Sequence, residues 1–162
     1  MIGLVLPWTG LDGMADINLT QDEADKLMAM EKKAVDPQGW LFPGPGDRIV
    51  VPLTSTDKRE SFMLDVMRYQ IKLTKTTLQN RARVTIILYR LDIGGAPHRN
   101  PDGEEIPCPH LHIYRENYGD KWAIPAPVTK FPDTSDLFTT LYAFMEHCNI
   151  VEMPKIEKGL FS

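Results

Sequence analysis

The chain has 162 residues, which is long enough for one domain with a hydrophobic core. Apolar residues make up 43% and charged residues 25%, close to the average soluble globular protein, which excludes wholesale disorder. No segment approaches the roughly 18 apolar residues of a membrane-spanning helix, and a formal net charge of −4 excludes a uniformly basic nucleic-acid-binding surface.

The predicted elements follow the order α-β-β-β-β-β-α. A capping box at residues 20–23 starts a helix that runs to about Val35. From Arg48 the apolar period changes to two, and four runs predict an antiparallel meander: Ile49, Val51 and Leu53; Phe62, Leu64 and Val66; Ile71 and Leu73; Ala82, Val84, Ile86 and Leu88. Turns are expected at residues 57–58 and 79–80.

The second half of the chain adds a loop, two strands and a helix. Residues 94–109 form a long Gly- and Pro-rich excursion, followed by a strand at Leu111 and Ile113 and a short strand at residues 122–124. Thr134 or Ser135 caps the final helix. These elements predict an α+β fold, in which an antiparallel meander of five to six strands has an N-terminal and a C-terminal helix packed on one face.

The ends and the cysteines set further expectations. Residues 1–13 lack periodicity and are expected to be a disordered extension or cloning scar, residues 14–150 a single α+β domain, and residues 151–162 a flexible tail. Cys108 and Cys148 are too few for a disulfide framework, and no secretory signal is recognisable. We therefore expect a cytoplasmic protein with reduced thiols and no membrane partner.

Charge is unevenly distributed along the chain. Residues 12–31 hold six acids against one lysine, whereas no acid occurs between Asp65 and Asp92. That acid-free stretch contains six cations: Arg68, Lys72, Lys75, Arg81, Arg83 and Arg90. Strand alternation predicts that Lys72, Arg81 and Arg83 point away from the core. With Lys75 they are candidate nucleic-acid or phosphate contacts, although they also suit a solvated sheet face that resists edge pairing.

A His-x-His pair supplies the candidate chemistry. Because Leu111 and Ile113 take the core side, Cys108, His110, His112 and Tyr114 are predicted to share the opposite, exposed face. Histidine moves protons near neutral pH. One reading is metal-independent RNA cleavage, in which His110 and His112 act as acid and base, Lys72 and Arg83 hold the phosphate, and Tyr114 orients or donates. This chemistry needs no cofactor.

A second reading of the same residues is a zinc site. Cys108, His110 and His112 lie on one strand, and His98 could arrive from the preceding loop as a fourth ligand. Two of the three strand ligands plus His98 fit one ion more easily than all three, because same-face positions on a strand lie about 6.5–7 Å apart. A cupin-like centre and a histidine-triad site match less well: the second cupin motif is missing, and Tyr114 stands at the third histidine position.

The segments from His98 to Gly103, from Pro109 to Tyr114 and from Tyr118 to Trp122 resemble an uncharacterised prokaryotic family of unknown function found among mobile-element and phage-related proteins. The resemblance spans residues 19–150 and implies a setting rich in toxins and defence proteins. It favours a toxin-type endoribonuclease acting on RNA or another nucleic acid. The alternative is a non-enzymatic binding or inhibitor protein of the antitoxin or anti-defence type, whose charged surfaces dock on a protein partner such as an antitoxin or a target enzyme.

Overall fold

The computed structural model of the chain describes residues 18–72 and 74–159, which form two helices and twelve strands. In chain order these elements are α1 (Gln21–Ala29), β1 (Lys32–Ala34), β2 (Trp40–Leu41), β3 (Arg48–Ser55), β4 (Ser61–Arg68), β5 (Thr76–Ala82), β6 (Ile86–Ile93), β7 (His98–Arg99), β8 (Glu105–Ile106), β9 (His110–Ile113), β10 (Ala123–Pro125), α2 (Leu137–His147), β11 (Ile150–Glu152) and β12 (Ile156–Glu157).

An eight-stranded sheet with the order β10-β9-β6-β5-β4-β3-β1-β11 organises the fold. Its centre, β3 to β6, is the antiparallel meander that the sequence predicts, and β9 and β10 extend it antiparallel beyond β6. The prediction of five to six strands is too low because β1 and β11, a short parallel pair, add the other edge. Two small sheets, β2 with β12 and β7 with β8, lie outside this order.

The register of the sheet separates an apolar face from a polar one. On the first face Phe62, Leu64 and Val66 of β4 lie opposite alternate residues of β5, and Leu91 of β6 lies opposite Leu111 of β9. Buried residues of both helices, among them Leu27, Leu141 and Phe144, join the same hydrophobic cluster. The second face, called here the polar face, carries Asp65, Thr77, Gln79, Arg81, Arg90, Asp92, His110 and His112.

The helix boundaries differ from the prediction at two ends. The capping box is confirmed, since the Thr20 hydroxyl accepts from the Glu23 amide at 3.2 Å, but α1 ends at Ala29 rather than near Val35. Lys32 then enters β1, and its buried ammonium donates to the carbonyls of Met28, Met30 and Cys148 at 2.9–3.2 Å. Burial lowers the pKa of Lys32 to about 8. Asp136, rather than Thr134 or Ser135, caps α2.

The predicted third and fourth strands are displaced. Ile71 is 100% exposed in a loop, Leu73 lies outside the described residues, and β5 begins only at Thr76. Asn80, expected in a turn, is buried in β5 and donates to the carbonyl of Met63. The hairpin turn falls instead at Arg83 and Val84, whose φ values of 48° and 71° are unusual for non-glycine residues. The alternation of apolar residues therefore continues through the turn, because the turn contains neither Gly nor Asn to mark it in the sequence.

The expectations for the two ends of the chain remain predictions. Residues 1–13 lie outside the described residues. Within the range expected to be a tail, residues 151–162, β11 pairs with β1 and β12 pairs with β2. No helix in the described part of the chain has both the length and the apolar character to cross a membrane.

The two arginines of the predicted basic surface, Arg81 and Arg83, are bound by acids of β4 and of the turn that precedes it. Arg81 makes a two-pronged pair with Asp65, with Nε 2.5 Å from Oδ2 and Nη2 2.7 Å from Oδ1. Arg83, at the exposed hairpin turn, donates to Glu60 at 2.9 and 3.2 Å. Because both partners lie outside the acid-free stretch, the local sequence overstates how much positive charge is available for a phosphate.

We predict that Arg81→Met destabilises the fold by about 3–5 kcal/mol, because it leaves the 2%-exposed Asp65 carboxylate without its cation. The matched change Arg83→Met, at a more exposed pair, should cost less than about 1 kcal/mol. Urea unfolding of both variants measures the free energies. Equal losses would show that the Arg81–Asp65 pair contributes no more than a surface pair.

Candidate active site

Two neighbouring strands bring four ionisable side chains together on the polar face. In the register of β6 and β9, Arg90 lies opposite His112 and Asp92 lies opposite His110. Directly opposed residues of antiparallel strands have Cβ atoms about 4.5–5.5 Å apart, so their side chains meet. We call Arg90, Asp92, His110 and His112 the Asp92 cluster.

Asp92 is the centre of this cluster. Its Oδ2 lies 3.4 Å from Nε2 of His110 and 3.2 Å from Nε2 of His112, and Nε of Arg90 donates to it at 3.2 Å. The hydroxyl of Thr77, on the next strand, donates to Oδ1 at 2.9 Å. Burial by itself raises the pKa of Asp92, but the two histidines, the Arg90 charge and the Thr77 hydroxyl outweigh it and lower the pKa well below its ordinary value. The carboxylate therefore stays ionised.

Backbone carbonyls orient both imidazole rings. Nδ1 of His112 lies 2.7 Å from the carbonyl oxygen of Asp120, and Nδ1 of His110 lies 3.3 Å from that of Pro107. A carbonyl only accepts, so each Nδ1 carries hydrogen, and each Nε2 is directed toward Asp92.

The two histidines differ in what satisfies Nε2. Nε2 of His112 lies 3.0 Å from Nη2 of Arg90 and 3.2 Å from Oδ2 of Asp92, so it can accept from the guanidinium or donate to the carboxylate. Nε2 of His110 faces the same carboxylate at 3.4 Å, where it can donate. Both Nε2 atoms thus face Asp92, and that of His112 also lies beside the Arg90 guanidinium.

Arg90 links the cluster to Asp120. The guanidinium of Arg90 also donates to the carboxylate of Asp120, in the turn between β9 and β10. Arg90 thus lies between two carboxylates, those of Asp92 and Asp120. A buried polar cluster is tolerated when its charges are compensated and its donors and acceptors are paired.

His98 reaches the cluster from the excursion between β6 and β9. Its ring centroid lies 4.5 Å from that of His112 and 5.7 Å from that of His110, and its Nε2 lies 2.8 Å from the carbonyl oxygen of Lys121. The neighbouring Asn100 fixes the β7–β8 hairpin, since its side-chain amide exchanges two 2.9 Å hydrogen bonds with the backbone of Ala123. This hairpin and the turn at residues 118–122 flank the cluster.

The histidine pair is therefore buried, contrary to the expected exposed face. His110 is 3% exposed and His112 is fully buried, whereas His98 is partly exposed. The expectation failed because alternation tells which side of a sheet a residue occupies, but not whether a distant segment covers that side.

Tyr114 and Cys108 do not join the cluster. Strand β9 spans only His110–Ile113, so the alternation extends to neither residue. The Tyr114 phenol is buried, accepting from the amide of Leu19 and donating to its carbonyl, both at 2.8 Å. Sγ of Cys108 lies 3.2 Å from both the Gly95 amide nitrogen and the Asp92 carbonyl oxygen. Among the residues that the structure describes, Asp92, His110 and His112 have potential metal-ligating atoms that all lie within 4.8 Å of one another.

The residues that were predicted to contact phosphate are also not part of the Asp92 cluster. Lys72 and Lys75 belong to the loop before β5, where Lys75 lies over the ring of Tyr69 at 4.2 Å. Arg81 shares the polar face but is bound to Asp65, and Arg83 lies at the β5–β6 turn. In their place, Arg90 is the guanidinium beside the histidines.

The sequence of residues 19–150 matches a family of unknown function, DUF6978. The chain belongs to this family. The DUF6978 match includes the whole Asp92 cluster, His98 and Asp120. Its range, residues 19–150, is the same as that of the resemblance recognised from the sequence motifs. No curated protein and no solved structure matches the chain.

Sequence reasoning missed Arg90, Asp92, Asp120 and Thr77. A signal for the first two was present, because Arg90 and Asp92 interrupt the apolar strand formed by Leu88, Leu91 and Ile93. A charged residue on a central strand of a buried sheet requires a partner, and the histidines of the neighbouring strand provide it.

The remaining histidine, His147 at the end of α2, is separate from this site. Its ring packs against Tyr89 and Phe131, and Nδ1 lies 3.2 Å from Nζ of Lys130. Burial, and then the Lys130 charge, lower the pKa of His147 from 6.5 to about 4.

We predict that His147 makes stability depend on pH. Between about pH 4 and 6.5 the unfolded chain binds more protons at this position than the folded chain, so the unfolding free energy falls as the pH is lowered through that window. His147→Gln should reduce this dependence. Urea unfolding of both proteins at about pH 4.5 and about pH 7 measures it, and identical pH slopes would contradict the assignment.

Proposed function

We propose that this protein is a metal-independent endoribonuclease of the toxin type, with its chemistry at the Asp92 cluster. The observation that carries the proposal is the difference between the two histidines: Nε2 of His112 lies 3.0 Å from the Arg90 guanidinium, from which it can accept, whereas Nε2 of His110 faces the Asp92 carboxylate, to which it can donate. An acid and a base on opposite sides of one phosphate are what RNA cleavage requires.

The reaction uses a nucleophile that the substrate already contains. Nε2 of His112 takes the proton of a ribose 2′-hydroxyl, and the 2′-oxygen attacks the adjacent phosphorus. The bond from phosphorus to the 5′-oxygen breaks as His110 gives its proton to that oxygen. The products are a 2′,3′-cyclic phosphate and a 5′-hydroxyl end. Arg90 stabilises the charge that develops on the phosphoryl oxygens, and Asp92 holds both imidazole rings in position.

Substrate entry requires the cover to move. Because His112 is fully buried, a phosphate reaches it only when the β7–β8 hairpin lifts from the cluster. The hydrogen bonds of Asn100 to Ala123 oppose this movement, and His98 is the partly exposed histidine that an approaching phosphate meets first. In the setting that the resemblance implies, a protein partner such as an antitoxin would restrain such an activity.

We predict that the purified protein cleaves RNA in the presence of a chelator and that His110→Gln and His112→Gln each lower the rate at least about 100-fold, the low end of general acid–base contributions. Arg99→Gln, on the same hairpin as His98 but exposed, is the matched control and should keep full activity. Gel analysis of end-labelled RNA, with detection of the cyclic phosphate, provides the measurement.

Two outcomes would refute the enzyme. One is the absence of cleavage across a panel of single-stranded and structured RNAs, and the other is cleavage by His110→Gln at the wild-type rate. If no RNA is cleaved but the wild type and both histidine variants bind RNA, the protein is a binding protein rather than a nuclease.

A specific distance favours a second candidate, a zinc centre. The two gaps between Asp92 Oδ2 and the histidine Nε2 atoms, 3.2 and 3.4 Å, are longer than a charge-assisted hydrogen bond of about 2.7–2.9 Å. They are close to the edge of a zinc tetrahedron, about 3.3–3.6 Å for ligand bonds of about 2.0–2.2 Å. The carbonyl partners of both Nδ1 atoms are also typical of zinc-bound histidines.

The zinc candidate predicts about one zinc per chain in protein that has been stripped with a chelator and reloaded. Calorimetry and elemental analysis measure the binding, and His110→Gln should abolish it. Cys108→Ser should retain it, because Sγ is bonded to Gly95 and Asp92 backbone atoms instead. Loss of zinc in Cys108→Ser would contradict this ligand set, and cleavage abolished by the chelator would contradict the metal-independent mechanism.

A further inference from the structure

The turn that follows β9 exposes an aromatic and cationic surface, which we call the Tyr118 patch: Arg115, Tyr118, Lys121 and Trp122. Tyr118 is 43% exposed, and its ring stands edge-on to Trp122 with centroids 5.8 Å apart. The guanidinium carbon of Arg115 lies 4.2 Å from the Trp122 ring centroid. Trp122 is half-buried and lies outside the hydrophobic cluster, so the Tyr118–Trp122 pair is not part of the core.

The backbone of this turn is firmly held. Arg115 and Gly119 exchange two hydrogen bonds of 2.9 Å, and positive φ values at Asn117 and Gly119 close the turn between them. Glu116 is tied to the start of α1, since its carboxylate accepts from the Gln21 amide at 2.9 Å and its amide donates to the Gln21 side chain at 3.0 Å. Tyr118 is thus presented on a fixed loop, which lowers the entropic cost of binding.

The other side of the same turn belongs to the candidate active site. The carbonyl of Asp120 orients His112, its carboxylate binds Arg90, and the carbonyl of Lys121 binds His98. The carbonyls that bind His112 and His98 thus belong to Asp120, next to the Tyr118 patch, and to Lys121, within it. Of the nearby acids, Asp120 is paired with Arg90, whereas Glu116 accepts from the neutral amide of Gln21 and keeps its charge. Arg115 and Lys121 therefore leave this turn with an excess of one positive charge.

We propose that the Tyr118 patch binds a nucleotide of single-stranded RNA next to the phosphate that is cleaved, an inference that rests on the proposed function. A base stacks on the exposed face of Tyr118, and Arg115 and Lys121 contact its phosphates. A free aromatic face selects unpaired bases, because bases within a duplex are already stacked. The substrate is accordingly a single-stranded segment or loop, and the preference for base identity is weak because every base has a π-face.

The test separates binding from cleavage. A fluorescein-labelled single-stranded RNA with 2′-O-methyl sugars cannot be cleaved through its 2′-oxygens, so fluorescence anisotropy at low salt reports binding alone. Tyr118→Ala should weaken binding about 5- to 150-fold, the loss expected for one base–aromatic stack, whereas Tyr118→Phe should bind like wild type. Arg115→Gln should weaken binding and lower the slope of log K against log salt by about one.

The chain offers a matched control at Tyr69. This tyrosine is 40% exposed and also carries a cation, Lys75, over its ring at 4.2 Å, but it lies in the loop before β5. Tyr69→Ala should leave RNA binding unchanged. Equal loss in Tyr69→Ala and Tyr118→Ala would overturn the proposal, as would wild-type binding by Tyr118→Ala or equally tight binding of a duplex of the same sequence.

The two proposals can fail separately. If Tyr118→Ala loses RNA binding while wild type cleaves no natural RNA, the patch stands and the nuclease does not. If the histidine variants lose cleavage while Tyr118→Ala binds and cleaves as wild type does, the nuclease stands and the patch is overturned. Binding of a protein partner, but not RNA, through Tyr118 would also overturn it.

Discussion

The candidate site depends on the register between β6 and β9. Opposed pairing of Arg90 with His112 and of Asp92 with His110 places two complementary pairs side by side on one face. A shift of β9 by one residue would turn His110 and His112 to the apolar face, away from Arg90 and Asp92. Leu91 opposite Leu111 on that apolar face fixes the register, so the packing of the core and the geometry of the site are set by the same alignment.

Burying this polar group of residues requires the surrounding loops. A central carboxylate and two imidazoles are costly inside a protein unless their hydrogen-bonding groups are paired. The strands supply Thr77 and Arg90, but the carbonyls that orient the rings come from Pro107 and Asp120, outside β9. The excursion between β6 and β9 and the turn after β9 therefore stabilise the site as well as cover it.

The sequence allowed the meander, the capping box and the side of the sheet that carries His110, His112 and Arg81 to be predicted. All three follow from local patterns: apolar alternation in β3, β4 and β9, and a Thr-x-x-Glu spacing. It misplaced the strands around residues 71–85 because Arg83 and Val84 form a turn without a residue that favours positive φ. Nothing local indicated that Arg81 and Arg83 are bound by Asp65 and Glu60, 16 and 23 residues away.

In the candidate site, too, features that depend on neighbouring residues were predicted, whereas features that depend on distant segments were not. Its histidines were predicted because they lie two residues apart on one strand, whereas its carboxylate, Asp92 on another strand, was missed. Asp92 becomes recognisable only when β6 is known to continue past Leu88, since a charged residue inside an apolar strand then needs a neighbour. The burial of the pair depends on segments that the alternation of one strand does not describe.

Asn100 has an effect beyond holding the hairpin. Strand β10 is the last strand of the eight-stranded sheet, and the outward backbone groups of such a strand usually invite pairing with another chain. At Ala123 both of these groups are occupied by the Asn100 amide, which makes the two bonds that an added strand would make. Two residues on, Pro125 has no N–H to offer. The edge beside the histidines is thus protected from pairing with a strand of another molecule. The protein can therefore keep a polar site at the border of its sheet without promoting aggregation there.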